Sequence, residues 1–296
     1  MTRTRRNANL MLLVAAAIWG FAFVAQRVGM RHLGPLGFNG VRFALGALVL
    51  LPLVVAGRRR RSSVIKSSPL PWRIGLVAGF LIFGGSTLQQ WGLVWTTAGK
   101  AGFITSLYVV FVPLLGLLWG QKTGRGPWFG VALAAVGLYL LSARGLTSIA
   151  PGDGMVLIGA IFFAGHVQWV GRWVGEVQPL ELALLQFAVC SLLSLVGAFI
   201  FEVVTWQAIS AAAVPILYAG VMSVGAAYTL QVMAQRHARP APAAVILSLE
   251  SVFAALGGGL LLAETMPLKG WIGCALMLGG VMVAQLEPRR PDPDQG

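Results

Sequence analysis

Of the 296 residues, 57% are hydrophobic and only 10% charged, where a soluble globular domain carries roughly a quarter charged. Twenty-two basic and 9 acidic residues cannot cover a soluble surface of this size, which excludes a soluble enzyme, a disordered chain and a disulfide scaffold, and leaves a polytopic membrane protein. Cys190 and Cys274 stand in apolar blocks without CxxC spacing and read as buried thiols.

A helix needs about 20 apolar residues to cross the hydrocarbon core. In chain order the sequence predicts ten such spans, near 8–28, 36–57, 73–94, 99–119, 127–143, 152–173, 179–202, 210–234, 241–263 and 267–286. Several begin near a proline (Pro35, Pro127, Pro151, Pro179, Pro240), which suits the first helical turn. Blocks such as Leu45 to Val55 do not alternate apolar and polar residues, as the strands of a membrane barrel would. The fold class is therefore all-α integral membrane.

The net charge of +13 follows the joints between spans. Alternate joints hold Arg3, Arg5 and Arg6; the Arg58–Arg61 run with Lys66 and Arg73; Lys122 and Arg125; Arg172; Arg236 and Arg239; and Arg289 and Arg290. The other face holds only Arg27, Arg31, Lys100, Arg144 and Lys269, and Arg42 lies within a span. Basic residues favour the cytoplasmic side, so both termini are expected there, and the Arg58–Arg61 run is a topology and anionic-lipid signal. No nucleic-acid site is expected. The basic start with its apolar run also resembles a secretory signal peptide, but the first span has a counterpart further along the chain and is expected to stay.

That counterpart belongs to an internal repeat. Trp19-Gly20 matches Phe163-Ala164, Pro35 matches Pro179, and Arg42-Phe43-Ala44 faces Gln186-Phe187-Ala188, each 144 residues on. Ala78-Gly79 and Gly84 match Ala219-Gly220 and Gly225 at 141, and Gly130 and Gly137 match Gly273 and Gly280 at 143. Two five-helix units follow, residues 8–143 and 152–286. Five crossings are odd, so the second unit must enter the membrane from the opposite side. Two inverted five-helix repeats around a midplane site are the architecture of secondary transporters, in which near-equivalent halves exchange roles between inward-open and outward-open states.

The stretch Thr97-Ala98-Gly99-Lys100-Ala101-Gly102-Phe103-Ile104-Thr105-Ser106-Leu107-Tyr108-Val109-Val110-Phe111-Val112-Pro113 resembles the fourth span of EamA-type members of the drug/metabolite transporter superfamily. Ala17-Ile18-Trp19-Gly20 resembles the first span of that family, and Leu249-Glu250-Ser251-Val252-Phe253-Ala254-Ala255 its ninth. Two departures are visible. Ser251 stands where members often carry Pro, and Gln121-Lys122 where they often carry Glu, although Glu264 keeps that feature in the second half. The resemblance implies a ten-helix exporter of small metabolites in a bacterial inner membrane, including a branch that exports aromatic and other amino acids. It also implies a cavity among spans one to four and six to nine, with spans five and ten bracing the halves. Gly130, Gly137, Gly273 and Gly280 suit that bracing, because small residues let backbones approach in lipid; Gly116/Gly120 and Gly75/Gly79 offer further seams.

Polar groups within a bilayer cost several kcal/mol unless paired or wetted, so they mark candidate cavities. Gln89 and Gln90 point about 100° apart; Gln90, aligned with Gln231 at 141, is the expected cavity residue of the two, with Trp91 beside it. Thr105 and Tyr108 form a polar stripe in the fourth span, and Pro113 is the expected kink. His166 and Trp169 in the sixth span, Tyr228 and Gln231 in the eighth, and Ser248 and Glu250 in the ninth complete the set with Trp19. For each, a structural role competes with substrate binding: interhelical hydrogen bonds for the glutamines, back-bonding for the hydroxyls, a neutral buried histidine, and a salt bridge for Glu250, whose one deep basic candidate partner is Arg42.

Trp19, Trp91, Trp169, Tyr108 and Tyr228 would make an aromatic, mostly uncharged cavity suited to neutral amino acids. Sugar phosphates would call for clustered Arg or Lys, and Arg42 stands alone. One deep acid and one deep histidine are few for a proton relay, which favours facilitated export over a proton-coupled multidrug or nucleoside exporter of the same fold. An intramembrane enzyme would need GxSxG, HExxH or paired aspartates, and none occurs. A channel would not need the inverted duplication. The expected partners are a small-molecule substrate and the lipid bilayer, with no cofactor and no metal; monomer and homodimer both stay open.

Overall fold

The structure is a computed structural model that describes residues 3–60, 71–96, 98–121, 123–142, 150–262 and 268–284. Glu264, Arg61, Lys66, Lys122, Arg144, Arg289 and Arg290 lie outside them. Helices occupy all ten expected positions. In chain order they are α1 (Arg3–Gly29), α2 (Pro35–Arg60), α3 (Pro71–Trp95), α4 (Ala98–Leu118), α5 (Arg125–Ser142), α6 (Pro151–Trp173), α7 (Pro179–Phe201), α8 (Ala213–Gln235), α9 (Pro240–Leu262) and α10 (Leu268–Ala284). A short helix, Trp206–Ala211, precedes α8.

Seven of them (α1, α2, α4 and α6 to α9) are long and apolar enough to cross a membrane among the described residues. The described part of α10 has 17 residues, about 25 Å at the helical rise, the lower end of what a bilayer needs. Large apolar side chains such as Phe129, Phe199, Leu260 and Met282 point outward, as they must where the solvent is hydrocarbon. Proline opens α2, α3, α6, α7 and α9, where its missing N–H and fixed φ are harmless.

Helix ends carry local devices. The Glu202 carboxylate, just past α7, accepts hydrogen bonds from the backbone N–H groups of Leu36 and Gly37 at 2.9 and 2.7 Å; a negative charge there offsets the positive end of α2. At the other end of the same helix pair, Arg58 bonds Glu181 at 2.9 Å. Gly120, at φ +71°, closes α4: its N–H reaches Leu117 O and that of Gln121 reaches Gly116 O, a Schellman termination that favours glycine. Gly120 is therefore a helix stop and not a packing seam, since nothing approaches its open side.

The two halves are inverted. In the α2–α7 pair Leu36 packs on Gly197, Gly40 on Leu195 and Phe43 on Phe187, so rising numbers in one helix meet falling numbers in the other. The α5–α10 pair does the same: Gly130 abuts Ala284 and Gly280, while Gly137 abuts Gly273 and Met277. Equivalent helices of the two repeats thus run antiparallel. Contacts between the halves also come in mirrored sets: α3 packs on α6 and α7 as α8 packs on α1 and α2, and α4 packs on α6 as α9 packs on α1. The four expected glycines all lie in the α5–α10 seam, where a Cβ on Gly130 would fall 2.7 Å from that of Ala284.

Three helices are irregular. α4 breaks at Leu107, between Ala98–Ser106 and Tyr108–Leu118. The second piece continues through Pro113, and the break in the helix lies six residues earlier, at Leu107. α9 breaks at Ser248–Leu249, between Pro240–Leu247 and Glu250–Leu262. In both, turns tighten to i→i+3 bonds: Leu107 N to Ile104 O, Leu249 N to Ile246 O and Ser251 N to Ser248 O. α8 widens instead into a π-helical stretch over Tyr218–Tyr228, a rare conformation that occurs frequently at functional sites.

Candidate functional site

The irregular stretches of α4, α8 and α9 face one hollow between the halves, lined also by α1, α2, α3 and α6. Its free volume is about 40 Å³, enough for roughly three water molecules and too little for an amino acid. The helices are drawn in around it.

Its lining follows the pseudo-two-fold axis. Trp19 and Phe163, and Phe23 and Val167, lie 144 residues apart; Gln89 and Gln231, Thr105 and Leu247, and Tyr108 and Glu250 lie 142 apart. Tyr108 and Glu250 each begin the segment after a helix break. Gly20 lets α1 press on α9 there, its open side lying 2.7 Å from the Glu250 carbonyl oxygen.

The polar partners are specific. Ser106 Oγ donates to Glu250 Oε1 at 3.4 Å, and the Tyr108 phenol lies beside the same carboxylate. Gln89 Nε2 donates to Thr105 Oγ1 at 2.9 Å. Gln231 Nε2 donates to Gln235 Oε1 at 3.0 Å, and Gln235 Nε2 to Val167 O at 2.8 Å. Gln231 Oε1 and Gln26 Oε1 are left without a partner in the lining. His166 Nε2 pairs with Gln186 Oε1 at 3.0 Å, which fixes the ring from α7.

Arg42 is held by its stem. Its Nε donates to Asn39 Oδ1 at 2.9 Å, and its guanidinium lies 5.1 Å from the Phe43 ring centroid and 5.7 Å from that of Phe38. Ion pairs among the described residues join Arg58 to Glu181 and Lys100 to Asp153; neither Arg42 nor Glu250 is in one. The salt bridge open to Glu250 on sequence is thus not formed. Tyr228 packs edge-on against Trp19, with centroids 4.6 Å apart, and against His166 at 6.0 Å. Trp19 Nε1 donates to Ser223 O at 3.1 Å, tying α1 to the π-helical stretch.

Of the residues singled out from sequence, Trp19, Thr105, Tyr108, His166, Tyr228, Gln231 and Glu250 meet in the hollow together with Arg42. Four do not. Gln90 is buried away from it with both amide atoms unpartnered, and Gln89 takes its place. Trp91 turns outward. Trp169 donates to Ile74 O at 3.0 Å and stacks near Trp173. Ser248 back-bonds to Val245 O at 2.9 Å. Phe23, Gln26, Phe163, Val167, Ser223 and Leu247 also line the hollow and were not anticipated. Phe163 and Val167 were within reach of the 144-residue offset, being the images of Trp19 and Phe23; Gln89 needed 142 in place of 141.

The sequence profile of the EamA-like transporter family matches residues 6–143 and again 150–285. The chain belongs to the EamA-like transporter family. An uncharacterized transporter of Archaeoglobus fulgidus is 31% identical over 283 residues, 95% of this chain and 87% of its own length. The uncharacterized transporter YoaV of Bacillus subtilis is 22% identical, covering 93% of this chain and 95% of its own. The uncharacterized inner membrane transporter YedA of Escherichia coli K12 is 30% identical over 154 residues, half of this chain. A solved crystal structure shares the fold with TM-score 0.77 at 20% identity, covering 94% of this chain and 96% of that one. As an EamA-like protein the chain is a multi-pass membrane transporter, and the hollow between its repeats is the place to look for substrate.

Proposed function

We propose that this transporter exports small metabolites from the cytoplasm by alternating access, with neutral amino acids, aromatic ones included, as its substrates. It works as a facilitator in a bacterial inner membrane with both termini cytoplasmic. The observation that carries this reading is the hollow itself: a polar, aromatic-walled site at the pseudo-two-fold axis, into which α4 and α9 each turn a break. Discontinuous helices at a repeat interface are how secondary transporters build a midplane site. A 40 Å³ hollow admits substrate only if these helices move, and tightened mid-helix turns are natural hinges.

The test is flux from proteoliposomes preloaded with labelled phenylalanine, leucine and a nucleoside. Saturable, protein-dependent efflux of the amino acids, with counterflow, is expected. Efflux of the nucleoside alone would replace the substrate class, and non-saturable leakage would indicate a channel. The lack of a cationic partner for Glu250 keeps one second reading alive, a proton-coupled exporter. Under that reading Glu250→Gln abolishes the pH dependence of efflux, whereas under facilitation efflux follows the substrate gradient at every pH tested.

A further inference from the structure

The pseudo-symmetry of the hollow fails where its charges lie. The repeat image of Arg42 is Gln186, and the image of Glu250 is Tyr108; the first repeat contributes a base and the second an acid where the other carries an amide or a phenol. Both charged residues are more than nine-tenths buried and both line the same hollow, yet they are not paired with each other. The Tyr228 hydroxyl lies within electrostatic reach of each.

We propose that Arg42 and Glu250 are the two poles of one head-group subsite, Arg42 taking the carboxylate of an α-amino acid and Glu250 its ammonium. This rests on the amino-acid reading above and sharpens it to an orientation. Arg42 spends only Nε, on Asn39. Its outer N–H groups have no hydrogen-bond partner among the described residues, and the ring faces of Phe38 and Phe43 hold the group without using those donors. A guanidinium whose outer donors are unspent is suited to receive a carboxylate through two parallel bonds. At the other pole Ser106 and Tyr108 supply only neutral contacts to Glu250, and an ammonium supplies the missing cation. Around the poles, Trp19, Phe163 and Tyr228 give apolar faces for a side chain. A buried charge without a counter-charge is strongly unfavourable. A ligand with both charges relieves both poles, and one with a single charge leaves the opposite pole uncompensated, so the site selects zwitterions over amines and acids of the same shape.

The experiment uses the full chain with three ligands of one shape: phenylalanine, 2-phenylethylamine and 3-phenylpropionate. Binding is read as thermal stabilisation in detergent, and transport as inhibition of labelled phenylalanine efflux from proteoliposomes. Wild type is expected to prefer phenylalanine to either analogue at least tenfold in both assays. Arg42→Gln, which installs the residue of the repeat image, removes the preference over the amine and keeps that over the acid; Glu250→Gln does the reverse. Arg42→Lys and Glu250→Asp, which keep the charges, retain the preference in part and guard against misfolding of the neutral variants. Phenylalanine recognition with unchanged preferences in both neutral variants overturns the subsite and leaves the amino-acid reading standing. Neither binding nor efflux of any neutral amino acid by wild type overturns both.

Discussion

In the first repeat, α4 breaks at Leu107 and offers Thr105 and Tyr108 to the hollow; in the second, α9 breaks at Ser248–Leu249 and offers Leu247 and Glu250. The backbone event is the same and the chemistry is not. A second contrast separates the two faces. Lys100 at the start of α4 bonds Asp153 at the start of α6 at 2.5 Å, and Asp153 also accepts from Ala150 N at 2.8 Å. The repeat images of those two residues, at the opposite face, are Pro242 and Asn9, which cannot form an ion pair. The duplication thus supplies the shape of the transporter, and the departures from it supply polarity to the site and, at one face, an ion pair whose repeat image cannot form one.

The comparison breaks most severely at Gly20. Its image Ala164 already carries a methyl group, whereas a side chain on Gly20 would run into Phe253 and the Glu250 backbone. Gly20→Val is expected to destabilise by about 3 kcal/mol or more, through overpacking that no rotamer relieves; Ala164→Gly should cost about 1 kcal/mol. Melting temperatures in detergent compare them directly.

Next in size is the pair of break residues. Glu250→Gln is expected to lower amino-acid efflux tenfold or more, and Tyr108→Phe only two- to threefold, because the phenol assists the carboxylate that it flanks. Equal losses would mean that the two repeats contribute equivalent contacts.

The face contrast predicts a smaller effect. Asp153→Asn removes the ion pair, and the starts of α4 and α6 that it joins should then part more readily. A cysteine placed at Thr105 should react two- to fivefold faster with a membrane-impermeant thiol reagent from that face. The charge-swapped pair Lys100→Asp with Asp153→Lys should restore the slow rate. Asn9→Asp at the opposite face should leave it unchanged.

The smallest expected effect distinguishes two neighbours in α3. Gln89→Leu takes the donor from Thr105 and should cost about 1 kcal/mol, whereas Gln90→Leu removes two unpartnered buried amide atoms and should be neutral or stabilising by up to about 1 kcal/mol. Denaturation midpoints of the two variants reversed in order would contradict the placement of the two amides.

The residues themselves show why some of this was readable beforehand. A span declares itself by an apolar run of fixed length, and its start by a proline, because in lipid the helix must satisfy its own backbone; hence the ten positions, the duplication and the odd-numbered inversion follow from the chain alone. Trp19, Tyr108, His166 and Glu250 were legible as site candidates because a polar or amphipathic group within a span is costly unless a cavity receives it. What a neighbour decides was not legible. Gln89 and Gln90 differ only in the direction they point, and the rotation of α3 about its axis is set by its packing on α6 and α7. Pro113 marks a weak point in the ladder, yet the break falls at Leu107, beside the contact of α4 with α9 and the hollow. Arg42 and Glu250 invited an ion pair by sign and depth, and only the tertiary arrangement decided that both line the hollow without pairing. The local hydrogen bonding demanded by the bilayer fixes elements, while the facing of side chains is a property of how helices rotate and tilt against one another, which no single helix encodes.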